Sequence, residues 1–94
     1  MKFEFDRAKS ETNRVKHGIS LEKAARIWEV AHLEVAARTV DESRFMAIGV
    51  IESKLYACIY TVRGEAIRLI SCRRARGKEV QLYHADFKET LSES

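Results

Sequence analysis

Three apolar segments follow one another almost without interruption: RFMAIGVI (Arg44–Ile51), LYACIYTV (Leu55–Val62) and AIRLISC (Ala66–Cys72). No other feature constrains the fold as strongly. The first two are apolar on both parities, the pattern of central strands covered on both faces. Only Glu52-Ser53-Lys54 and Arg63-Gly64-Glu65 separate the three. Connections this short and polar join neighbouring strands as hairpins, so the segments form an antiparallel meander. In the third, Ile67 and Leu69 point to one side and Ile70 to the other. Leu33–Thr39 alternates as a half-buried strand does and precedes the meander.

The N-terminal third reads differently. Phe3-Glu4-Phe5 suits a short edge strand, and Asp6 is placed to cap a helix over about Arg7–Lys16. Its inner stripe reads as Ala8, Thr12 and Val15, with Lys9, Asn13 and Lys16 on a polar face. Gly18 permits the left-handed conformation that closes a helix. Ser20 caps a second helix, in which Leu21, Ala24, Ala25 and Trp28 recur at helical spacing to about Val30. After the meander, Val80, Tyr83, His84 and Phe87 recur at helical spacing within Gly77–Leu91, a closing helix expected to pack back onto the sheet. Helices followed by strands in this order imply an α+β domain with helices segregated to one face.

The 94 residues contain no proline, and neither repeats nor a linker-like stretch, so residues 1–94 read as one domain. No apolar run approaches the roughly 20 residues of a bilayer span, and the N-terminus lacks a signal-peptide core. The expected setting is the cytoplasm. Cys58 and Cys72 both fall in apolar strands, as reduced core thiols do. With His17, His32 and His84 they have no zinc-ligand spacing, so no metal or cofactor is expected.

The net charge of +3 is mild, but its distribution is uneven. Arg73, Arg74, Arg76 and Lys78 face only Glu79 in the stretch after the last strand. Such a patch attracts phosphate even on a nearly balanced chain. On residue chemistry alone, Arg73 and Arg74 are either a solvated strand end, ion-paired to a residue such as Glu79, or a guanidinium grip on phosphate. His17 and His84 are candidate proton-transfer groups, and His17 also suits a helix C-terminus. Glu79 and Tyr83 stand one helical turn apart and can face one site. Trp28 reads as core. Nucleotide-binding, serine-hydrolase and zinc-protease motifs are missing from the sequence.

Several segments together resemble BrnT-type toxins. FEFDRAKSETNRVKHGISLEKA (Phe3–Ala24) has an acidic residue after an aromatic strand, spaced Lys and Asn, then KHG and a Ser-started helix. RFMAIG (Arg44–Gly49), YACIYTVRGEAIRLISCRRA (Tyr56–Ala75) and KEVQLYH (Lys78–His84) follow in the family's order. The resemblance implies a RelE-like fold and a ribonuclease toxin of a type II toxin–antitoxin pair. The implied partner is a BrnA-type antitoxin with a ribbon-helix-helix domain, in a 2:2 heterotetramer that reaches operator DNA through the antitoxin.

Carried over residue by residue, the family's RR maps onto Arg73 and Arg74, and its KHG onto Lys16-His17-Gly18. Glu79 and Tyr83 match a looser C-terminal pattern. The expected catalytic set is Arg73, Arg74, His17, Glu79 and Tyr83, with Lys9, Lys16, Arg44, Arg76 and Lys78 as RNA contacts. The expected reaction is metal-independent attack by the RNA 2′-OH on its own phosphate, leaving a 2′,3′-cyclic end. Two other readings compete with it: an antitoxin-binding module with little nuclease activity, and a DNA reader using the first two helices.

Overall fold

The computed structural model describes residues 1–37 and 43–92, the side chains of 87–92 excepted. The elements are β1 (Lys2–Glu4), α1 (Arg7–His17), α2 (Leu21–Ala24) continued by a 3₁₀ turn (Ala25–Glu29), β2 (Leu33–Ala37), β3 (Arg44–Ile51), β4 (Lys54–Arg63), β5 (Ala66–Arg74) and α3 (Gly77–Ser92). The meander is present, since β2, β3, β4 and β5 pair antiparallel in succession. Adding β1 parallel to β5 makes a mixed sheet of order β1-β5-β4-β3-β2 in an α+β fold. The expected extension of β2 to Thr39 falls outside the described residues.

Local chemistry explains most boundaries. Asp6 accepts a hydrogen bond from the Lys9 N–H at 3.0 Å and opens α1. Gly18 closes it at φ 76°, donating its N–H to the Arg14 carbonyl. Ile51 pairs directly with Lys54, so Glu52 and Ser53 alone form the β3–β4 turn. Both lie at positive φ (49° and 68°), the type I′ geometry whose twist matches paired strands.

The face that α1 buries is the polar one, contrary to the expected stripe. Ala8 and Thr12 are exposed and Val15 is 71% exposed, whereas Ser10 and Asn13 are buried. Hydrogen bonding decides this. Ser10 Oγ accepts from the Leu21 and Glu22 N–H groups, which the start of α2 leaves without intrahelical partners. Asn13 Nδ2 donates to the Ile19 carbonyl (2.7 Å) and the Cys72 carbonyl (2.8 Å), while Oδ1 accepts from the Cys72 N–H (3.1 Å). β1 covers β5 only from Ala66 to Arg68, so the Asn13 amide stands in for a neighbouring strand further along that edge.

Ile19, Leu21, Ala24 and Ile27 pack on Ala47, Cys58, Tyr60, Leu69 and Cys72 to form the core. The expected second helix tightens into the 3₁₀ turn from Ala25. That turn approaches the sheet over Gly49, where an added Cβ would stand 3.1 Å from Ile27 Cγ2 and from His32 Cβ. Trp28 borders the core, edge-on to Phe3 and Tyr60. Cys58 and Cys72 are buried free thiols on directly opposed positions of β4 and β5. Their mutual hydrogen bond and then burial push the Cys58 thiol well up, which keeps it protonated.

A register shift between Ile59 and Tyr60 leaves Ile70 as an extra residue in β5. Before it, Leu69 sits across from Tyr60 on the core face. After it, Cys72 sits across from Cys58 on that same face. Ser71 and Arg73, opposite Ile59 and Ala57, therefore look to the other side. α3 lies on this second side, sharing a groove with Val35, Met46 and Ile59. The helices are thus not segregated to one face. α3 also covers the sheet incompletely: Val80 and Tyr83 are half-buried, His84 is exposed and Leu82 is 42% exposed.

Asn13→Ala would leave the Cys72 and Ile19 polar groups without their partner and should cost about 2–4 kcal/mol in urea unfolding. Val15→Thr on the outer face should change stability by less than about 0.5 kcal/mol. The reverse ranking would show that α1 packs through its apolar stripe.

Candidate active site

β5 delivers its two terminal arginines to opposite faces. Arg74 pairs in register with Tyr56, and its guanidinium carbon lies 5.9 Å from that ring's centroid. Arg73 stands on the α3 side and meets Glu79. Nη1 donates to Oε1 at 2.7 Å and Nη2 to Oε2 at 2.8 Å, a bidentate pair with side chains only 21% and 14% exposed. Nη1 also donates to the Arg74 carbonyl. An end-on pair of this kind leaves the Nε–H and a second Nη2 hydrogen for another anion.

Glu79 is itself fixed by the backbone. Its Oε1 accepts the Arg76 N–H at 2.8 Å, while the Val80 N–H donates to the Arg76 carbonyl and starts the helix. Glu79 therefore reaches back over the first turn as the acidic member of a capping box does. The Arg73 hydrogen bonds, helped by the Arg76 N–H, hold its carboxyl below the usual range against the opposing effect of burial. Such a carboxylate is a weak base at neutral pH, and its evident task is to orient Arg73.

Tyr83 lies one turn beyond Glu79 on α3, half-buried, with its ring 5.6 Å from that of His84. Lys78, Glu79 and Leu82 wall an open groove of about 470 Å³ whose floor is Val35, Ala36, Ala37, Met46 and Ile59. Arg76 and Lys78 are exposed at the start of α3. The structure thus gathers Arg73, Glu79, Lys78 and Tyr83 on one side of the sheet.

The remaining expected residues lie elsewhere. Lys9, Lys16 and His17 line a smaller groove of about 200 Å³ with Thr12, Asn13, Ile70 and Ser71, between α1 and β5. Arg44 opens β3, four positions from Ile48 in the row of Arg73, hence roughly 13 Å along the sheet. Asn13 was absent from the expected site, although its spacing between Lys9 and Lys16 was the available signal. Among the described residues, no three His, Cys, Asp or Glu side chains converge to hold a metal ion. No helix among them is long and apolar enough to cross a membrane.

The pair makes stability depend on acid in a defined direction. Glu79 has a folded-state pKa below its unfolded value, so its contribution is full above the unfolded value near 4.5 and is lost as pH falls through the folded one. Glu79→Gln should lower stability at neutral pH by about 1–2 kcal/mol and converge on the parent in acid. Thermal unfolding followed between neutral and acidic pH checks this. A constant gap between the two proteins would show that Glu79 is not ionised in the pair.

Comparison with known families places this geometry in context. The family described as "Ribonuclease toxin, BrnT, of type II toxin-antitoxin system" matches residues 5–79, which include α1, the whole sheet beyond β1 and the Arg73–Glu79 pair. A comparison with curated proteins gives no significant match. With most of its length matched, the chain belongs to the BrnT family of ribonuclease toxins of type II toxin–antitoxin systems.

Proposed function

We propose that this toxin cleaves RNA without a metal ion, by in-line attack of a 2′-OH on the adjacent phosphate. The bidentate Arg73–Glu79 pair is the observation that carries this reading. As the phosphorane forms, negative charge grows on its non-bridging oxygens. A guanidinium already fixed by a carboxylate meets that charge without reorganising, which is where electrostatic preorganisation counts most. Arg73 takes the scissile phosphate through the donors that Glu79 leaves free. Glu79 is a positioning residue, and Tyr83, the nearest phenol on α3, moves a proton to or from the reacting oxygens. Arg74, Arg76 and Lys78 hold flanking RNA.

The fold reads as RelE-like, with the two N-terminal helices on one face and the groove on the other. In the cell, this reading sets the toxin in the cytoplasm beside a BrnA-type ribbon-helix-helix antitoxin. A 2:2 heterotetramer then represses the operon through the antitoxin's DNA-binding domain. A second reading, an antitoxin-binding module with little nuclease activity, draws support from the apolar floor of the groove (Val35, Met46 and Ile59) and exposed Leu82.

RNA incubated with the protein in EDTA should yield 2′,3′-cyclic phosphate and 5′-hydroxyl ends. Arg73→Ala should slow single-turnover cleavage by about 100-fold or more. Dependence on Mg²⁺ with 5′-phosphate products would overturn the mechanism. Equal cleavage by the variant would overturn the site.

A further inference from the structure

The groove between α1 and β5 has no part in the chemistry assigned to Arg73, yet its lining is chemically one-sided. Lys9, Lys16 and His17 supply its charge, Thr12, Asn13 and Ser71 its polar groups, and Ile70 a short apolar floor. Among the described residues, no carboxylate lines it. Lys9 and Lys16 lie two helical turns apart on one face of α1, with His17 beside them.

These cations differ from many others on the molecule. Arg14, Lys23, Arg26, Arg68 and Arg73 each lie within 4 Å of a carboxylate. Lys9, Lys16 and His17 have no such partner among the described residues. Asp6 is near enough to feel the charge of Lys9, but its carboxylate is turned to the backbone N–H of that residue and lies outside the lining. The Ser71 hydroxyl also has no hydrogen-bond partner among the described residues, so it can donate to an anion.

Position gives the groove its meaning. Ser71 and Arg73 stand on the same side of β5, two residues apart and hence about 7 Å along the strand. That is close to one nucleotide step of an extended single strand. Here β5 is the sheet's edge, because β1 ends opposite Arg68 and, among the described residues, the Asn13 amide bonds to the strand beyond. A strand of RNA can therefore pass along this edge with one phosphate at Arg73 and its neighbour in the groove. Basic grooves that track a backbone bind single strands in this way, largely without regard to sequence.

We propose that Lys9, Lys16 and His17, with the Ser71 hydroxyl, form a second subsite for the phosphodiester backbone of single-stranded RNA, next to the scissile phosphate at Arg73. This rests on the RNA-cleaving reading of the Arg73 side. In the subsite His17 is a binding group, and proton transfer stays with α3. Asn13 is a positioning residue, since its amide sets the distance between the lysines and β5.

The test uses the whole chain and a short 2′-O-methyl oligoribonucleotide, which has no free 2′-OH and is not cleaved. A 2′-O-methyl dinucleoside monophosphate, carrying a single phosphate, is measured beside it. Lys9→Gln/Lys16→Gln should bind the oligonucleotide about tenfold more weakly at moderate salt. Its log K against log salt slope should be shallower by about 0.7, for the one neighbouring phosphate that the lysines no longer neutralise. Its melting temperature and its affinity for the dinucleoside monophosphate should match the parent. Unchanged oligonucleotide affinity and slope would overturn the subsite and leave the Arg73 reading standing. An equal loss for the dinucleoside monophosphate would also overturn it, by moving the lysines to the scissile phosphate. Failure of the parent protein to bind the oligonucleotide would overturn both.

Discussion

The Asn13 amide is the interaction on which the rest of this structure depends. Its three hydrogen bonds join α1, the turn at Ile19 and the end of β5 at Cys72. A single buried side chain thus takes the place of a strand that the sheet does not have. Each partner is a backbone group that burial would otherwise leave without a bond, at a cost of about 1–3 kcal/mol apiece. The same three bonds fix the last residues of β5, from which Arg73 and Arg74 project. They also hold α1, with Lys9, Lys16 and His17, against the same edge.

The bulge at Ile70 complements that anchor. Without the extra residue, strict alternation from Ile67 and Leu69 would carry Arg73 toward the apolar core and Cys72 away from it. One inserted position reverses both assignments: the thiol is buried against Cys58, and the guanidinium emerges where Glu79 can meet it. Bulges commonly re-aim side chains near functional sites in this way. The pair then does two things at once, because Glu79 also satisfies the Arg76 N–H at the start of α3. Folding of the helix start and orientation of the Arg73 guanidinium are therefore one event.

Strand, turn and cap signals were legible in the sequence because each depends on neighbours a few residues away. The bounds of β3, the hairpins, the Asp6 and Ser20 caps and the Gly18 stop all follow from such local chemistry. What was not legible depends on distant partners. Asn13 reads as a surface residue until Cys72, 59 positions later, is seen to meet it. The apolar spacing of Ala8, Thr12 and Val15 misleads because α1 is held to its neighbours by hydrogen bonds rather than by a hydrophobic stripe. The side of the sheet that α3 takes depends on the bulge, which has no turn residue to announce it. For the candidate site, the basic run after β5 and the Lys-His-Gly element stood out in the sequence, and the structure places them beside separate grooves. The alternation that separates Arg73 from Arg74 was visible too. The Glu79 partnership stood only as one of two readings until the geometry chose it.

The central claim is that Arg73, held by Glu79, is the group that receives the RNA phosphate. Nitrogen-detected NMR of the arginine side chains, with the Arg73 signal assigned through Arg73→Lys, observes this directly. Saturation with an uncleavable 2′-O-methyl oligoribonucleotide should shift the Arg73 Nε–H resonance and slow its exchange with water. An Arg73 resonance that stays unchanged while other arginines respond would contradict the claim.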